Sequence, residues 1–503
     1  MDFALIHNLG IGFGVALSLQ NLMYCFFGVL LGTLIGVLPG IGPVTTIAML
    51  LPLTFKLEPT SSLIMLAGIY YGSQYGGSTT AILVNLPGEA SSIVTTLDGY
   101  QMARQGRAGE ALALAALGSF FAGCVGTLLI AAAGPPLAGL AQQFGPAEYF
   151  ALMLLGLVAS VVMASGSVVK AFAMVFVGLA LGLIGTDVDS GAMRYTFGIG
   201  ELSEGISFVA LAVGLFGIAE ILRNLMATGE PDRSVIDTKL TGLWPSTAVL
   251  KEAAPSVLRG TLLGSAMGLL PGGGAVLASF ASYAMEKRIA TDRSRFGRGA
   301  IEGVAGPESA NNAAAQTSFI PMLTLGIPSN AVMALMVGAM IIQGIEPGPE
   351  VMSKRPELFW GMVASMWVGN LMLVIINLPL IGIWVSLLRV PYRLMYPAIL
   401  IFCCIGVYSL NNSSFEVMLA AGFGLLGFAL IQWGFEMTPL LLGFVLGPLM
   451  EENLRRAMRY AQGDPMVFIE RPLSGGLVAA SLLLLVIVLL PMVRRRREEV
   501  FAE

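Results

Sequence analysis

Residues 28–42 read GVLLGTLIGVLPGIG, and residues 260–274 read GTLLGSAMGLLPGGG. At an offset of 232 (260 − 28), nine of the fifteen positions are identical, including Gly28/Gly260, Gly32/Gly264, Gly36/Gly268, Pro39/Pro271, Gly40/Gly272 and Gly42/Gly274. Each copy begins as an apolar helix and ends in a Pro-Gly break. The surroundings are those of a membrane protein: of 503 residues, 56% are hydrophobic and only 12% are charged. Apolar runs long enough to cross about 30 Å of hydrocarbon recur at 110–133, 147–165, 168–186, 206–222, 358–388 and 473–493. They do not alternate as barrel strands do. In lipid every backbone N–H and C=O needs a partner, so irregular backbone survives only when it is buried in protein or lines a cavity. Two such breaks, half a chain apart, predict a duplicated all-α fold whose breaks have a purpose.

The repeat continues at a slightly larger offset. GGSTTAILVNLPGEA (76–90) corresponds to TSFIPMLTLGIPSNA (317–331), placing Pro87 on Pro328, and Gly118 and Gly126 correspond to Gly361 and Gly369. The reading divides the chain into a first repeat (1–226) with its break at 39–43 and a polar segment at 71–89. A cytoplasmic linker (227–256) follows. The second repeat (257–460) has its break at 271–275 and a polar segment at 306–330. A last helix with a basic tail occupies 461–503, its Arg494–Arg497 reading as a cytoplasmic anchor. Loop charges favour inverted repeats. Residues 287–298 carry Lys287, Arg288, Arg293, Arg295 and Arg298, whereas the matching loop 56–60 carries only Lys56, beside Glu58. Loop 98–110 holds Arg104 and Arg107, its counterpart 345–357 three glutamates. One stretch conflicts: 455–471 counts as periplasmic, yet holds Arg455, Arg456, Arg459 and Arg471.

Inverted repeats with interrupted helices are the pattern of a secondary transporter with its site near the midplane. The arms beside the second break, read as 258–270 and 274–286, are too short to span and fit a re-entrant hairpin. The candidate binding residues are Pro39, Gly40, Gly42, Thr45, Thr46, Ser78, Thr79, Thr80, Asn85 and Pro87 in the first half. In the second they are Pro271, Gly272, Gly273, Gly274, Glu308, Ser309, Asn311, Asn312, Ser329 and Asn330. Hydroxyls, amides and freed carbonyls are hard oxygen ligands for Na⁺, expected near Thr79, Asn85, Asn311 and Asn312. Half-helix N-termini offer N–H groups to a carboxylate. Glu89 and Glu308 read either as membrane-embedded carboxylates that would carry protons instead or as interface residues.

Enzyme chemistry finds little support. The single histidine, His7, excludes an HExxH zinc site, and there is no Gly-Lys-Ser/Thr phosphate loop. Ser167-Val-Val-Lys170 lacks its partner motifs. No catalytic residue and no cofactor is expected. The net charge of −4 carries no basic block for nucleic acid. The four cysteines lie in apolar runs and read as core.

GTLIGVLPGIGPVTTIAMLLPLTF (32–55), GIYYGSQYGGSTTAILVNLPGEASSIVTTLDGYQMARQGRAGEAL (68–112), GLLPGGGAVLASFASYAMEK (268–287), EGVAGPESANNAAAQTSFIPMLTLGIPSNAVMALMVGA (302–339) and PLLLGFVLGPLMEENLRRAM (439–458) resemble the large membrane subunit of the bacterial tripartite tricarboxylate transporters. The resemblance covers nearly the whole chain. It implies 10–13 transmembrane elements in an elevator-like ion-transporter fold. It implies a periplasmic solute-binding protein and a small membrane subunit of about four helices as partners, in the bacterial inner membrane. It also implies import of citrate or a related carboxylate, driven by Na⁺ or H⁺. By position, Pro39–Thr46, Tyr75–Thr80 and Asn85–Gly88 would form one half-site, and Pro271–Ala275, Glu308–Asn312 and Pro328–Asn330 the other. A receptor-independent carboxylate symporter or exchanger is the alternative.

Overall fold

The computed structural model describes residues 3–38, 42–164, 167–187, 189–226, 243–270, 274–387 and 392–489. Pro39, Gly40, Pro271, Gly272 and Gly273, most of the linker and the Arg494–Arg497 tail lie outside them. The described chain is helical throughout, apart from one short antiparallel ladder, β1 (Gly185–Thr186) with β2 (Met193–Arg194). Among the described residues, five helices are long and apolar enough to cross a membrane, and seven shorter apolar helices accompany them.

The first half runs α1 (Phe3–Ala16), α2 (Leu19–Val37), α3 (Pro43–Thr54), α4 (Pro59–Val84), α5 (Ile93–Arg104), α6 (Ala108–Ala141), α7 (Pro146–Met163) and α8 (Val168–Gly182). It closes with α9 (Phe208–Ala212), a π-helical turn Val213–Ile218 and α10 (Ala219–Met226). The second half runs α11 (Thr247–Gly268), α12 (Gly274–Ile289), α13 (Glu302–Thr317), α14 (Phe319–Leu325), α15 (Ala331–Ile342), α16 (Glu350–Lys354) and α17 (Pro356–Asn377). It continues through α18 (Ile381–Leu387), α19 (Tyr392–Asn411), α20 (Ser414–Gln432), α21 (Met437–Tyr460), α22 (Val467–Glu470) and α23 (Pro472–Leu489).

The repeat read in the sequence is also a repeat in packing. The small face Gly28, Gly32, Gly36 of α2 lies directly on the backbone of α4 at Met65, Ile69 and Ser73. Gly260, Gly264 and Gly268 of α11 lie on α13 at Gly306, Ala310 and Ala314. The partners are offset by 241 in all three cases (306 − 65, 310 − 69, 314 − 73). A methyl group on any of these six glycines would collide with main-chain atoms of the facing helix. The helix pairs therefore pack through bare backbone, as small residues permit within membranes. Residue numbers rise together along both pairs, so each pair is parallel.

The long helices then cross between halves. α6 packs against α13, and α17 against α4. Gly118 of α6 faces Ser309 and Gly126 faces Gln316, while Gly369 of α17 faces Tyr71. Likewise α8 packs on α21, and α20 on the π-helical turn.

The arms after the two breaks behave differently. α12 folds back antiparallel on α11: Gly274 sits against Gly268, and the Arg259 guanidinium clasps Glu286 through two bonds of 2.9 and 2.6 Å. α3 leaves α2 and docks elsewhere, Thr45 Oγ1 donating to the Phe216 carbonyl in the π-helical turn at 2.8 Å. Arm lengths also differ from the sequence reading. α11 starts at Thr247, inside the stretch read as linker, and its 22 residues extend about 33 Å. α2, with 19 residues, is itself long enough to span. The charged start of α11 hid its length, because hydropathy alone marks where a helix turns apolar and not where it begins.

Candidate functional site

The polar residues of α4 and α13 meet where the broken helices end. α4 is helical from Pro59 because Glu58 caps it, its carboxylate accepting from Ser61 N at 3.1 Å with Pro59 in the first turn. Near its far end Thr80 Oγ1 lies 3.0 Å from the Val37 carbonyl and 3.3 Å from that of Gly36. Both carbonyls belong to the last turn of α2, which ends at Val37. In the other half Thr317 stands against Gly268, at the matching end of α11.

Glu308 of α13 is the centre of the cluster. It is 0% exposed. Ser78 Oγ donates to its Oε2 at 2.6 Å, and Thr95 Oγ1, from α5, donates to Oε1. The Glu308 carbonyl accepts from Asn312 Nδ2 at 3.0 Å and from Ser119 Oγ of α6 at 3.4 Å. Asn312 Nδ2 also reaches Ser119 Oγ at 2.7 Å and Asn311 Oδ1. Three elements of the first half thus close around one helix of the second. No lysine or arginine pairs with Glu308 among the described residues. A carboxylate buried without a basic partner needs another positive counter-charge, either a bound cation or a proton.

Beside the cluster is a narrow cavity lined by Tyr75, Ser78, Thr79, Ser119 and Asn377, with room for about one water molecule. It fits a small ion and excludes a carboxylic acid in this conformation. Several buried polar atoms nearby have no hydrogen-bond partner among the described residues: Tyr75 Oη, Asn311 Nδ2, both amide atoms of Gln316 and both of Asn370. Unpaired amides are costly in a low-dielectric interior, and native proteins keep few of them outside functional sites.

The candidate residues sort as follows. Ser78, Glu308, Asn311 and Asn312 come together, with Thr79 on the cavity wall. Thr80 caps the broken α2, and Ser309 Oγ back-bonds to Ala305 at 2.7 Å. Thr46 Oγ1 donates to Gly42 O at 3.0 Å, in the first turn after the break, and Gly42 has an ordinary extended backbone at φ −82°. Asn85 stands apart: it is exposed and terminates α4 in the left-handed region at φ 59°. Pro87 follows it in the connection to α5. Asn330 caps α15, accepting from Met333 N at 2.9 Å, and its Nδ2 reaches Tyr70 Oη at 3.3 Å, while Ser329 Oγ lies 3.4 Å from Ser318 O. Glu89 caps the turn before α5, its carboxylate accepting from Ser91 Oγ, which also lies 2.8 Å from Gln74 Oε1.

Thr95, Ser119 and Asn377 are members the sequence reading did not find. Ser119 and Asn377 are isolated polar residues in apolar helices and Thr95 is one of several polar residues in α5, and the partners that bring each to the site are far away in the chain.

Residues 22–442 match the family described as the tripartite tricarboxylate transporter TctA family. Two relatives come from Agrobacterium vitis. One, named as an uncharacterized 52.8 kDa protein in the TAR-I ttuC' 3'region, is 62% identical over 499 residues, 99% of each chain. The other, an uncharacterized protein in the TAR-II ttuC' 3'region, is 60% identical over 240 residues, 48% of this chain and 99% of that protein. No solved structure matches. The match over most of the chain, on a helical membrane fold with this buried polar cluster, establishes that the protein belongs to the tripartite tricarboxylate transporter TctA family.

Proposed function

We propose that this multi-pass membrane subunit carries tricarboxylates or related carboxylates into the cell by ion-coupled secondary transport. In this reading a periplasmic solute-binding protein delivers the substrate, and a small membrane subunit completes the system in the bacterial inner membrane. The observation that carries the reading is Glu308: a carboxylate with no exposure and no basic partner, hydrogen-bonded by Ser78 and Thr95 from the opposite half. Such a group holds a coupling cation in one conformation and releases it in another. The surrounding ligands are hard oxygens, which favours Na⁺ first and a proton on the carboxyl second. The substrate carboxylates bind at the two broken helices, where terminal N–H groups face the break. Support for inverted repeats comes from the opposite directions of α4 and its counterpart α13–α14: Ser78 meets Glu308, while the earlier Tyr70 meets the later Phe319. The arginines of 455–471 are held in ion pairs: Arg455 pairs with Asp187, Asp189 and Glu451, Arg456 with Glu452, Arg459 with Asp189 and Arg471 with Glu148.

The test is uptake of radiolabelled citrate into proteoliposomes holding this chain and its small subunit, with the receptor outside and Na⁺ and pH gradients imposed separately. Receptor-dependent uptake that follows the Na⁺ gradient is expected. Uptake indifferent to both gradients would overturn ion coupling, and uptake without receptor would establish the symporter alternative.

A further inference from the structure

At one end of the molecule two basic loops from the two halves meet. Asp98 of α5 joins them: its Oδ1 accepts from Gly299 N at 2.7 Å and Ala300 N at 2.8 Å, and its Oδ2 accepts from Tyr283 Oη at 2.9 Å. Next to this joint, Gln105 Nε2 donates to the Arg298 carbonyl at 2.8 Å. Between the loops lies a recess of about 340 Å³, lined by Gln105, Arg107, Ser294, Arg295, Arg298 and Gly299.

The charges around this recess do not balance. Arg107 is paired with Glu110, and Arg295 is shared between Glu252 at 2.9 Å and Glu302 at 3.4 Å. The Arg298 guanidinium has no ion pair or side-chain hydrogen bond among the described residues. Arg104 at the end of α5, Lys287 and Arg288 in the last turn of α12, and Arg293 beyond it add to the positive field. Asp292 is occupied with Ser294, accepting from its N at 2.9 Å and Oγ at 2.7 Å. A free guanidinium offers a planar fork of donors matched to two oxygens of one anion. A second arginine, an amide and a hydroxyl stand around the same space.

We infer that this recess is an anion site, selective for a negatively charged group with several oxygens, of the phosphate class. It is separate from the Glu308 cluster and does not depend on which carboxylate is transported. Because the recess is built from the 98–110 loop and the 293–300 loop, a bound anion ties the two halves together on this face. The same chemistry is supplied by free phosphate or by the phosphate of an anionic lipid headgroup, since basic loops at the membrane surface meet both.

The experiment measures the melting midpoint of the full-length chain in detergent, titrated with inorganic phosphate while chloride keeps ionic strength constant. A parallel series adds phosphatidylglycerol or phosphatidylcholine to the micelles. Wild type should gain a saturable upward shift. Arg298→Gln should melt at the wild-type midpoint without anions and lose the shift. Arg298→Lys keeps the charge without the fork and should need roughly tenfold more anion for the same shift. A phosphate shift lost in Arg298→Gln assigns the site to a free anion. A shift with phosphatidylglycerol alone, lost in the same variant, assigns it to a lipid headgroup. No shift with either probe, or one that Arg298→Gln retains, overturns the proposal.

Discussion

Asn85 and Gly326 lie 241 residues apart (326 − 85), and each ends its helix in the left-handed region, at φ 59° and 74°. Four residues on, Glu89 and Asn330 stand in equivalent extended conformations and cap the helical segments that follow. The connection after the polar helix has thus kept one backbone form in both halves with different side chains. Asn is the non-glycine residue that best tolerates this region. Asn85→Gly should therefore leave the melting midpoint unchanged or raised, whereas Asn85→Val should lower it by about 1 kcal/mol or more of stability. If Asn85 instead ligates the coupling ion, the glycine variant will fold normally and lose uptake.

Glu308→Gln keeps the shape of the side chain and removes its charge. Uptake driven by an imposed gradient is expected to vanish, with the protein still inserted and folded. Ser78→Ala and Thr95→Ala each delete a hydrogen bond to a charged group, worth about 1.5–3 kcal/mol. Each should weaken dependence on the coupling ion by at least roughly tenfold. Unchanged ion dependence in all three would remove Glu308 from the mechanism.

Gly32→Ala and Gly264→Ala force a methyl into the main chain of Ile69 and Ala310. Each should cost about 1–3 kcal/mol by overpacking, read as a lower melting midpoint and poorer yield. Gly422, with nothing within 4 Å of an added methyl, is the control: Gly422→Ala should behave as wild type.

Gly42→Ala separates conformation from ligand approach. Its φ of −82° suits any residue, and an added methyl would meet nothing within 4 Å among the described residues. The variant should fold and melt as wild type. Loss of uptake in a normally folded Gly42→Ala protein would then mean that substrate or ion comes close to this backbone.

The loop between α8 and α9 should loosen in acid. Hydrogen bonding to Arg455, together with bonds from Ser190, holds the Asp187 carboxyl well below the ordinary carboxylate range. A lowered native value means that the stabilisation is full above the unfolded value, near pH 4, and is lost as pH falls through the lower native value. Wild type should melt above Asp187→Asn at pH 7, and the gap should begin to narrow below about pH 4. A gap that persists unchanged at pH 3 would show that Asp187 acts through packing alone.

Much of this was legible in the sequence because it depends on residues with few alternatives. Glycine spaced by four in an apolar run permits backbone contact, and a Pro-Gly pair ends a helix, so the breaks and the repeat could be read directly. Thr127 is back-bonded within α6, its Oγ1 donating to Gly123 O at 2.8 Å. Ser119, eight residues earlier on the same helix, looks identical in sequence but reaches Glu308 and Asn312, and only the tertiary crossing of α6 on α13 tells the two apart. Thr95 escaped for the same reason. The ion pairs of Arg455, Arg459 and Arg471 were not legible either, because their partners Asp187, Asp189 and Glu148 lie hundreds of residues earlier. The different docking of α3 and α12 has no sequence marker, since both follow nearly identical breaks.

The bare-backbone seam between α2 and α4, and its twin between α11 and α13, also restricts how the molecule can move. Two helices whose main chains touch at three successive turns have no side-chain layer to shear, so neither can slide or roll along the other without a main-chain clash. Each pair must travel as a single strut. Any rearrangement that opens the Glu308 cluster therefore pivots at the connections on either side of these struts, among them the arms α3 and α12, and leaves the seams unchanged.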